Sequence, residues 1–473
     1  MLALAVFIAA GAPNAWALLV PARRVTTRGG NRILSEASFE QHKLVAADAA
    51  EDDNFGKSVA VDGNTVVIGA PWSGNRGAVY VLRTSDGGAT YVEVAKLTAA
   101  DASSDDYFGW SVAIKGNTIV VGARGDDNYR GAAYVFRTLD GGATYSQVAK
   151  LTASDRATWD NFGVSVAIDG ETIVIGADGD NSKRGSAYVF RTTDGGVTYG
   201  QVAKLTADDA AADDEFGGIV AIDGDTVVVG AYRKGDYTGA AYVYRTSDGG
   251  ATYGQVAKLT ASDGAADDYF GRSVAISGDS VVVGAYYDNI NGGAGGYNNG
   301  QGSVYVFRTS DGGATYVEVA KLTASDAAAN DWFGYSVAID GATVAILGGG
   351  SVYIFRTTDG GGTWSQVAKL VTSDGVFISP VAISGDVVVA GAFYDDSIAS
   401  NAGAAYVFSG AGSEGLVAGS DPAPTPQPTT AALGSDGSDL AQTPQPTIAA
   451  LGSDAATRTG PLLALLVAAG LAL

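Results

Sequence analysis

Short runs of alternating and continuously apolar residues cover most of this chain and recur in the same order. In one copy, residues 270–276 alternate apolar and polar positions, whereas residues 280–285 are apolar almost without a break. Alternation is typical of a strand with one buried face, and a continuous apolar run is typical of a strand covered on both faces. Residues 303–308 and 315–322 follow as two more strand-like runs. Each copy therefore predicts four β-strands, called a to d in chain order.

A Phe-Gly pair begins each copy, and a Gly-Ala pair ends its strand b. The Phe of this pair is Phe55, Phe108, Phe162, Phe216, Phe270 and Phe333, with a degenerate seventh copy at Phe377. A fixed period of roughly 50 residues indicates a repeat architecture, and seven repeats of four strands predict a β-propeller. We therefore predict an all-β fold, a seven-bladed β-propeller of four-stranded blades, over residues 38–410.

The two ends of the array predict how the ring closes. The last copy has no strand d, whereas residues 38–48, before the first copy, parallel the strand-d segment at residues 252–263. An N-terminal strand that completes the last blade removes the open edges of a linear array. A lysine recurs in strand d, as at Lys321, which suits an outermost strand protected from further pairing. We predict closure by the N-terminal strand.

Composition excludes several functions. The chain has 51 acidic and 29 basic residues and a net charge of −22, which disfavours nucleic acid and favours cations or basic partners. It has no cysteine, so disulfides, thiolate metal sites and cysteine nucleophiles are excluded. Its only histidine, His42, lies in the predicted closing strand, so no Ser-His or His-metal arrangement is available on the loops.

The terminal segments predict secretion and a lipid anchor. Residues 1–17 resemble a signal peptide, with an uncleaved anchor as the alternative, and residues 18–37 form a polar linker. Residues 411–460, rich in Pro, Thr, Ser and Gly, predict an extended stalk. Residues 461–473 are apolar but shorter than the roughly 20 residues of a spanning helix. Together with the small residues that begin at Ser453, they fit a glycosylphosphatidylinositol (GPI) signal. The alternative is a tail that is apolar by chance.

The repeated motif also resembles a known family. The segment FGKSVAVDGNTVVIGAP, from Phe55 to Pro71, resembles the FG-GAP repeat of the integrin α-subunit N-terminal domain. The resemblance implies a seven-bladed propeller and a role in extracellular recognition. Integrin-type repeats carry a calcium loop between strands a and b, and these turns are too short for one here. The c-to-d turns, such as TTDGGGTW from Thr357 to Trp364, resemble the Asp box of sialidases and are interpreted as architecture.

The d-to-a and b-to-c connections share one side of a propeller, here called the loop face, where we expect function. Carboxylate and amide oxygens in the b-to-c loops suit a hard cation such as Ca²⁺. The candidate metal ligands are Asp126, Asp127, Asp180, Asn181, Asp288, Asn289, Asp395 and Asp396. The aspartates repeated before each Phe, such as Asp53 and Asp48, are interpreted as turn caps in preference to metal ligands.

Aromatic residues also gather on the loop face. The candidate ligand-binding residues are Trp72, Tyr232, Tyr286, Tyr287, Tyr297, Phe393 and Tyr394. An acidic rim rich in aromatic rings suits the stacking of sugars or the binding of a basic protein loop. Packing between blades is the alternative interpretation of these rings.

These features predict a secreted, GPI-anchored cell-surface propeller that acts in adhesion or recognition. Its expected partners are an extracellular protein or glycan and, through the anchor, the membrane; Ca²⁺ is the one cofactor considered. We expect no enzymatic activity, since no catalytic pair stands out among the many aspartates. Two alternatives stay open: a glycan-processing hydrolase that uses loop-face carboxylates, and a passive cell-coat protein.

Overall fold

The computed structural model describes residues 39–290, 300–376 and 378–410. Within these residues the chain forms seven four-stranded antiparallel sheets arranged as blades, so the predicted all-β, seven-bladed propeller is confirmed. The predicted signal peptide, linker, stalk and tail lie outside the described residues. No helix in the described part of the chain is both long enough and apolar enough to span a bilayer.

Each blade places its strands in the order a, b, c, d, with strand d outermost. Blade 1 comprises β2 (Ser58–Asp62), β3 (Thr65–Ala70), β4 (Ala78–Arg83) and β5 (Val92–Leu97). Blade 2 comprises β6 (Ser111–Lys115), β7 (Thr118–Ala123), β8 (Ala132–Arg137) and β9 (Ser146–Leu151). Blade 3 comprises β10 (Val166–Asp169), β11 (Thr172–Ala177), β12 (Ser186–Arg191) and β13 (Gly200–Leu205). Blade 4 comprises β14 (Ile219–Asp223), β15 (Thr226–Ala231), β16 (Ala240–Arg245) and β17 (Gly254–Leu259).

The remaining blades follow the same order. Blade 5 comprises β18 (Phe270–Ser277), β19 (Ser280–Ala285), β20 (Ser303–Arg308) and β21 (Val317–Leu322). Blade 6 comprises β22 (Val337–Asp340), β23 (Thr343–Gly348), β24 (Ser351–Arg356) and β25 (Ser365–Leu370). Blade 7 comprises β26 (Val381–Ser384), β27 (Val387–Ala392), β28 (Ala404–Gly410) and, as its outermost strand, β1 (Phe39–Leu44).

The N-terminal strand closes the ring, as predicted. β1 pairs antiparallel with β28, from Phe39 opposite Gly410 to Leu44 opposite Ala405. Side-chain contacts extend the closure to blade 6, because the side-chain oxygen of Gln41 accepts a hydrogen bond from the backbone N–H of Ser373, at 3.1 Å. No outer strand of blade 7 is therefore left to be supplied by another molecule.

The hydrophobic core lies between neighbouring blades. Strand b is buried along its whole length in blades 1 to 5, which explains its unbroken apolar sequence. The Phe of each Phe-Gly pair and a Tyr in strand c are fully buried, as with Phe108 and Tyr134, whose rings meet edge to face at 5.5 Å. Burial of one such aromatic side chain contributes about 1.5–3 kcal/mol. The repeated aromatic pair therefore packs each blade against its neighbour.

The glycines of the repeat allow two blades to approach closely. Gly122 is the next-to-last residue of strand b in blade 2, and a Cβ added there would overlap the carbonyl oxygen of Gly163 in blade 3. Gly163 itself has φ +91, a left-handed conformation that favours glycine. The Ser111 hydroxyl donates a hydrogen bond to the same Gly163 carbonyl, at 2.9 Å. Both glycine positions of the motif are therefore requirements of the contact between blades.

The degenerate seventh copy is built around Ile378. The backbone N–H of Ser379 donates to the carbonyl of Gly391, as the N–H of Gly163 does to Gly176 in blade 3. Ile378 is fully buried and packs in the cluster that includes Leu347. Phe377, which the alignment of the seven repeats placed at the position of the recurring Phe, lies outside the described residues. Ile378 thus fills the position that a Phe holds in the other blades.

Candidate ligand-binding face

The two sets of loops interlock to form the loop face. The backbone N–H of Asp105, in a d-to-a loop, donates to the carbonyl of Asn75 in a b-to-c loop, at 2.9 Å. The N–H of Phe108 likewise donates to the carbonyl of Arg76, at 3.1 Å. Contacts of this kind join the d-to-a loops of blades 1 to 6 to the preceding blade, so hydrogen bonds connect most of the loop face.

Several b-to-c loops contain one left-handed turn. These turns are α1 (Asp126–Tyr129), α2 (Asp180–Lys183) and α3 (Lys234–Tyr237), and a shorter turn, η1 (Ser73–Asn75), takes the same place in blade 1. In α1, Asp127 and Asn128 have φ of 50 and 61. Side chains with a Cβ rarely adopt this conformation, and Asp, Asn and Gly tolerate it best. The Asp/Asn-rich composition of these loops therefore has a conformational cause besides any ligand.

The first aspartate of four candidate metal sites contacts a lysine. In blade 2, Asp126 is buried, and its Oδ1 lies 2.9 Å from Nζ of Lys150. The same ammonium lies 2.6 Å from Oδ2 of Asp101. The other oxygen of Asp101, Oδ1, accepts a hydrogen bond from the hydroxyl of Tyr134, at 2.9 Å. The equivalent pairs are Asp180–Lys204 at 2.8 Å, Asp288–Lys321 at 2.7 Å and Asp395–Lys43 at 2.7 Å. The lysine expected to protect the edge of strand d is therefore also the cation that these carboxylates bind.

Hydrogen bonds shift the pKa values of these groups. Burial alone would raise the pKa of Asp101, but hydrogen bonds from Lys150 and Tyr134 outweigh it, so the pKa lies below its ordinary value. Burial likewise opposes the charged form of Lys150, yet its two aspartate partners raise its pKa. Both groups are therefore held in their charged forms near neutral pH.

The second residues of the candidate metal pairs lie at the surface. Asp127 pairs with Arg130, at 3.0 Å, and with Arg156. Asp396 accepts a hydrogen bond from the backbone N–H of Asn401, at 2.6 Å, and Asn181 is exposed. Asn289 is partly buried and lies two residues before the undescribed residues 291–299 of its b-to-c loop. Nowhere among residues 39–290, 300–376 and 378–410 do three Asp, Glu or His side chains come together to hold a metal ion, and calcium binding stays a prediction.

The aspartate two residues before each Phe caps its own loop, in line with the turn-cap interpretation. Oδ2 of Asp106 accepts a hydrogen bond from the backbone N–H of Ser103, at 2.6 Å. The same contact recurs at Asp53, Asp214, Asp268 and Asp331. Because these carboxylates are used by the backbone in nearly every blade, they shape the loops.

The candidate aromatic residues form separate groups on the loop face. Tyr286 lies between Tyr287 and Tyr335, with ring centroids 4.1 and 5.3 Å away, and Tyr232 packs in the same cluster. Trp72 stacks edge to face with Tyr107 and with Trp110, at 5.7 Å in each case. Phe393 lies 4.2 Å from Tyr394, which is 63% exposed. Tyr297 lies outside the described residues. Tyr286 and Tyr287 are buried within their cluster, whereas Tyr394 is exposed. The other described candidate rings are partly buried: Trp72, Tyr232 and Phe393.

The side chains at the centre of the loop face are not among the residues predicted from the sequence. They occupy the second position after each Phe, which holds Lys57, Trp110, Val164, Gly218, Arg272 and Tyr335 in successive blades. The residues around this position are almost constant between repeats, so its variation is the signal that identifies it. A second variable position, directly after the Gly-Ala pair, supplies Arg124. We call Lys57, Trp110, Arg124, Arg272 and Tyr335 the central cluster.

Cations and aromatic rings alternate in the central cluster. Nζ of Lys57 lies 5.0 Å from the ring centroid of Trp110 and 4.4 Å from that of Phe393. The Arg124 guanidinium lies 3.5 Å from the Trp110 ring on the same side of the cluster. Across it, the Arg272 guanidinium lies 4.8 Å from the Tyr335 ring and donates to the Tyr335 hydroxyl, at 3.2 Å. Cation–π contacts of this kind contribute about 0.5–2 kcal/mol each.

Burial and the other cations of the cluster both shift the pKa of Lys57. Burial, followed by the positive charges of Arg272 and Arg124, lowers this pKa to about 8. Lys57 belongs to blade 1, Arg124 to blade 2 and Arg272 to blade 5, so their charges meet only because the ring is closed. One carboxylate, Asp178, acts on Arg124 and accepts a hydrogen bond from Asn161, at 2.9 Å.

Comparison with known families places the fold. Seven segments match the family described as FG-GAP repeat, at residues 39–82, 91–136, 145–190, 199–244, 253–307, 316–355 and 364–408. The chain belongs to the FG-GAP repeat family. The first FG-GAP segment runs from β1 to β4, so one sequence repeat supplies strand d of one blade and strands a, b and c of the next. This offset explains why the N-terminal strand of this FG-GAP propeller must complete the last blade.

Comparisons with curated proteins and with solved structures do not identify a function. No curated protein matches this FG-GAP chain. Among solved structures, the crystal structure of Saccharomyces cerevisiae Sqt1 matches with 13% sequence identity and a TM-score of 0.41, over 76% of this chain and 84% of its own. A likeness of this size carries no argument about function.

Proposed function

We propose that this FG-GAP propeller is a recognition module that binds an extracellular protein or glycan through the central cluster and the surrounding aromatic rings. The observation that carries the proposal is that side chains which differ between blades converge on one face. Residues that serve a single ligand need not repeat, whereas residues that shape a blade do. The proposal is of binding without catalysis.

The opposite face supports the same assignment by contrast. Its c-to-d turns repeat one arrangement, in which Oδ1 of Asp359 accepts hydrogen bonds from the backbone N–H groups of Gly362 and Thr363, at 2.9 and 3.0 Å. The same contacts recur at Asp140, Asp194, Asp248 and Asp311. The backbone of this face is therefore one repeated turn, and its variation is limited to single exposed side chains such as Leu139 and Val197. We place recognition on the loop face, where variable side chains contact one another.

The rings of the loop face are suited to recognition. Tyr and Trp offer a large, stiff contact surface and a polar group at the rim, so little conformational entropy is lost on binding. Here partly exposed rings are held by one another, as in the 5.7 Å edge-to-face contact between Trp72 and Trp110. A partner would therefore meet a preformed surface.

We further propose that the propeller is secreted and displayed on a GPI anchor at Ser453, where it acts in adhesion, and that Ca²⁺ contributes to binding. The support is the character of residues 1–17 and 461–473 and the acidic b-to-c loops. Release of the protein from intact cells by a phosphatidylinositol-specific phospholipase is the expected result. Retention on the cells after this treatment would contradict the anchor.

A binding screen tests the recognition role. The full-length chain is applied to an array of extracellular proteins and glycans, once in calcium and once in a chelator. A hit is then repeated with Trp110→Ala, in the central cluster, and with the control Trp364→Ala, which removes the same ring from a turn on the opposite face. Loss of binding with Trp110→Ala alone supports the proposal. An empty array, or equal binding by both variants, contradicts it and favours a passive coat protein.

A further inference from the structure

The basic residues of this propeller differ in their partners. Every strand-d lysine lies within 2.8 Å of a carboxylate oxygen. Strand-c arginines such as Arg83 and Arg137 donate to the backbone carbonyl of a glycine in the next blade. Lys57, Arg124 and Arg272 form no ion pair with a carboxylate in the described part of the chain and lie against aromatic rings.

Aromatic rings take the place of carboxylates around these three cations. The Trp110 ring lies against Arg124 and Lys57, and the Tyr335 ring lies against Arg272. A ring face attracts a cation through its quadrupole but carries no net charge, so the positive charge is stabilised and not cancelled. A carboxylate at the same place would cancel it. The central cluster therefore keeps a net positive charge at the middle of an acidic protein.

Keeping these charges together costs free energy in the empty protein. Repulsion from Arg272 and Arg124 contributes to the low pKa of Lys57, and Asp178 offsets only the Arg124 side. An anion placed among the three cations would reverse this repulsion, and a partly buried site strengthens such contacts. Lys57, Arg124 and Arg272 are all partly, not fully, buried, so each side chain keeps some surface open to solvent.

We infer that the central cluster binds an acidic saccharide, whose carboxylate or sulfate oxygens contact Lys57 and Arg272 while its ring faces lie against Trp110 and Tyr335. Sugar rings stack on aromatic side chains through their C–H faces, and guanidinium and ammonium groups donate charge-assisted hydrogen bonds to oxyanions. The inference rests on the proposed recognition function and names its ligand class. The ligand would then bind at a cationic site on a protein whose net charge is −22.

Calorimetric titration of the full-length chain tests this ligand class. The probes are three galactose-based oligosaccharides of equal length: an oligogalacturonate, a sulfated galactan fragment and a neutral galactan fragment. Binding of the uronate or the sulfate ester, at least tenfold tighter than the neutral fragment, is the expected result and also distinguishes the two sources of the anion. Equal binding of all three, or no binding of the acidic fragments, would overturn the inference. A polyglutamate peptide that binds as tightly as the sugars would overturn the saccharide assignment.

Variants locate the site. Lys57→Met and Arg272→Met are expected to weaken binding of the acidic fragment at least tenfold, and Lys57→Arg to preserve it. Lys115→Met is the control, because it removes the same charge from an exposed side chain at an a-to-b turn on the opposite face. Thermal unfolding of each variant shows that it is folded; if Arg272→Met is not, the comparison of Lys57→Met with Lys57→Arg decides. Equal losses in Lys57→Met and Lys115→Met would show a general charge effect and overturn the site.

The outcomes separate this inference from the proposed function. Array hits that depend on Trp110 but not on Lys57 would leave recognition intact and overturn the anion site. An empty array together with no binding of acidic fragments would overturn both. A pH series adds a second readout: because the pKa of Lys57 is about 8, binding should weaken between pH 7 and pH 9 in the unsubstituted protein and remain constant over that range in Lys57→Arg. A loss of the same size in both proteins would contradict the role of Lys57.

Discussion

Nζ of Lys43 lies 2.7 Å from Oδ2 of Asp395, and this contact ties the first strand of the propeller to the interior of its last blade. The Asp395 side chain is only 1% exposed, and the same lysine also lies 2.8 Å from Asp374. The Tyr406 hydroxyl donates to Asp374, at 2.6 Å. Ring closure therefore combines a backbone strand pair with a buried ion pair.

Substitution Lys43→Met should destabilise the propeller by about 2 kcal/mol, because it leaves the buried carboxylate of Asp395 without a cation. We take a value below the 3–5 kcal/mol typical of a broken buried pair because Lys43 is 27% exposed. Denaturant unfolding of the purified protein measures the change. The control is Lys369→Met, the equivalent lysine of blade 6, whose partner Asp326 is 50% exposed. That variant should lose less than about 1 kcal/mol, and an equal loss in both would contradict the role of burial.

Removal of the closing strand should destabilise the whole propeller. Deletion of residues 1–45 removes β1 and exposes the edge of β28, which then has unpaired N–H and C=O groups open to other chains. We expect a lower melting temperature and concentration-dependent association, measured by calorimetry and light scattering. Deletion of residues 1–37 retains β1 and is the control. Unchanged melting after the longer deletion would exclude closure as a source of stability.

Substitution Asp268→Asn should stabilise the protein at pH 7 by about 1–2 kcal/mol. Burial, assisted by repulsion from Asp288, raises the pKa of Asp268 to about 6. Because this folded pKa lies above the ordinary value, the ionised form costs stability, fully so above about pH 6, and that cost declines as the pH falls from 6 to about 4. The amide keeps an oxygen to accept the hydrogen bond from Ala265, now made at 2.6 Å. Melting temperatures from pH 4 to pH 8 measure the difference.

Asp214→Asn is the matched control for that substitution. Asp214 occupies the same position in blade 4, but its Oδ2 lies 2.8 Å from Nζ of Lys234. Neutralising it removes a favourable ion pair, so this variant should be less stable at pH 7. If both variants shift stability in the same direction, the explanation from burial and like charge is wrong.

Acid should unfold the propeller below about pH 4. Hydrogen bonds from Lys258 and Tyr242 outweigh burial and lower the pKa of Asp209 to about 2, and hydrogen bonds from Thr90 and then Thr84 lower that of Asp86 to about 2. A folded pKa below the ordinary value gives stability that is complete above that value and lost as the pH falls through the folded pKa. Circular dichroism melts between pH 2 and pH 6 should therefore show a steep decline below pH 4. Constant stability down to pH 2 would contradict these lowered pKa values.

The strands were predictable because their signal is local. For blade 5, the predicted runs 280–285 and 303–308 coincide with β19 and β20. Strand d begins at Val317, two residues later than predicted, because Thr315 belongs to the preceding turn and donates a hydrogen bond to Asp311, at 2.6 Å. Alternation and turn residues report the backbone directly, whereas the last residue of a turn is decided by one side-chain contact.

The candidate site was predicted only in part. Three candidate ligand-binding residues were identified because each directly follows a Gly-Ala pair: Tyr232, Tyr286 and Phe393. All three lie on the loop face. The ion pair between Asp126 and Lys150 was missed, because the two residues belong to different predicted elements and their carboxylate and ammonium meet only when β9 lies beside β8. From the sequence, the oxygen-rich b-to-c loops suggest a metal site. In the fold, their carboxylates also bind lysine side chains.

By itself, the sequence determined the seven repeats, the four strands of each, and the closure of the ring by residues 39–44, because each follows from hydrophobic periodicity and from which strand is missing at each end. Only the tertiary structure decided which side chains share the centre of the loop face. Lys57 and Arg272 lie four repeats apart in the chain, and their charges interact because the ring turns both toward one place. A closed ring brings residues that are far apart in the chain close together in space. The pattern of residues along the chain does not show which of them become neighbours.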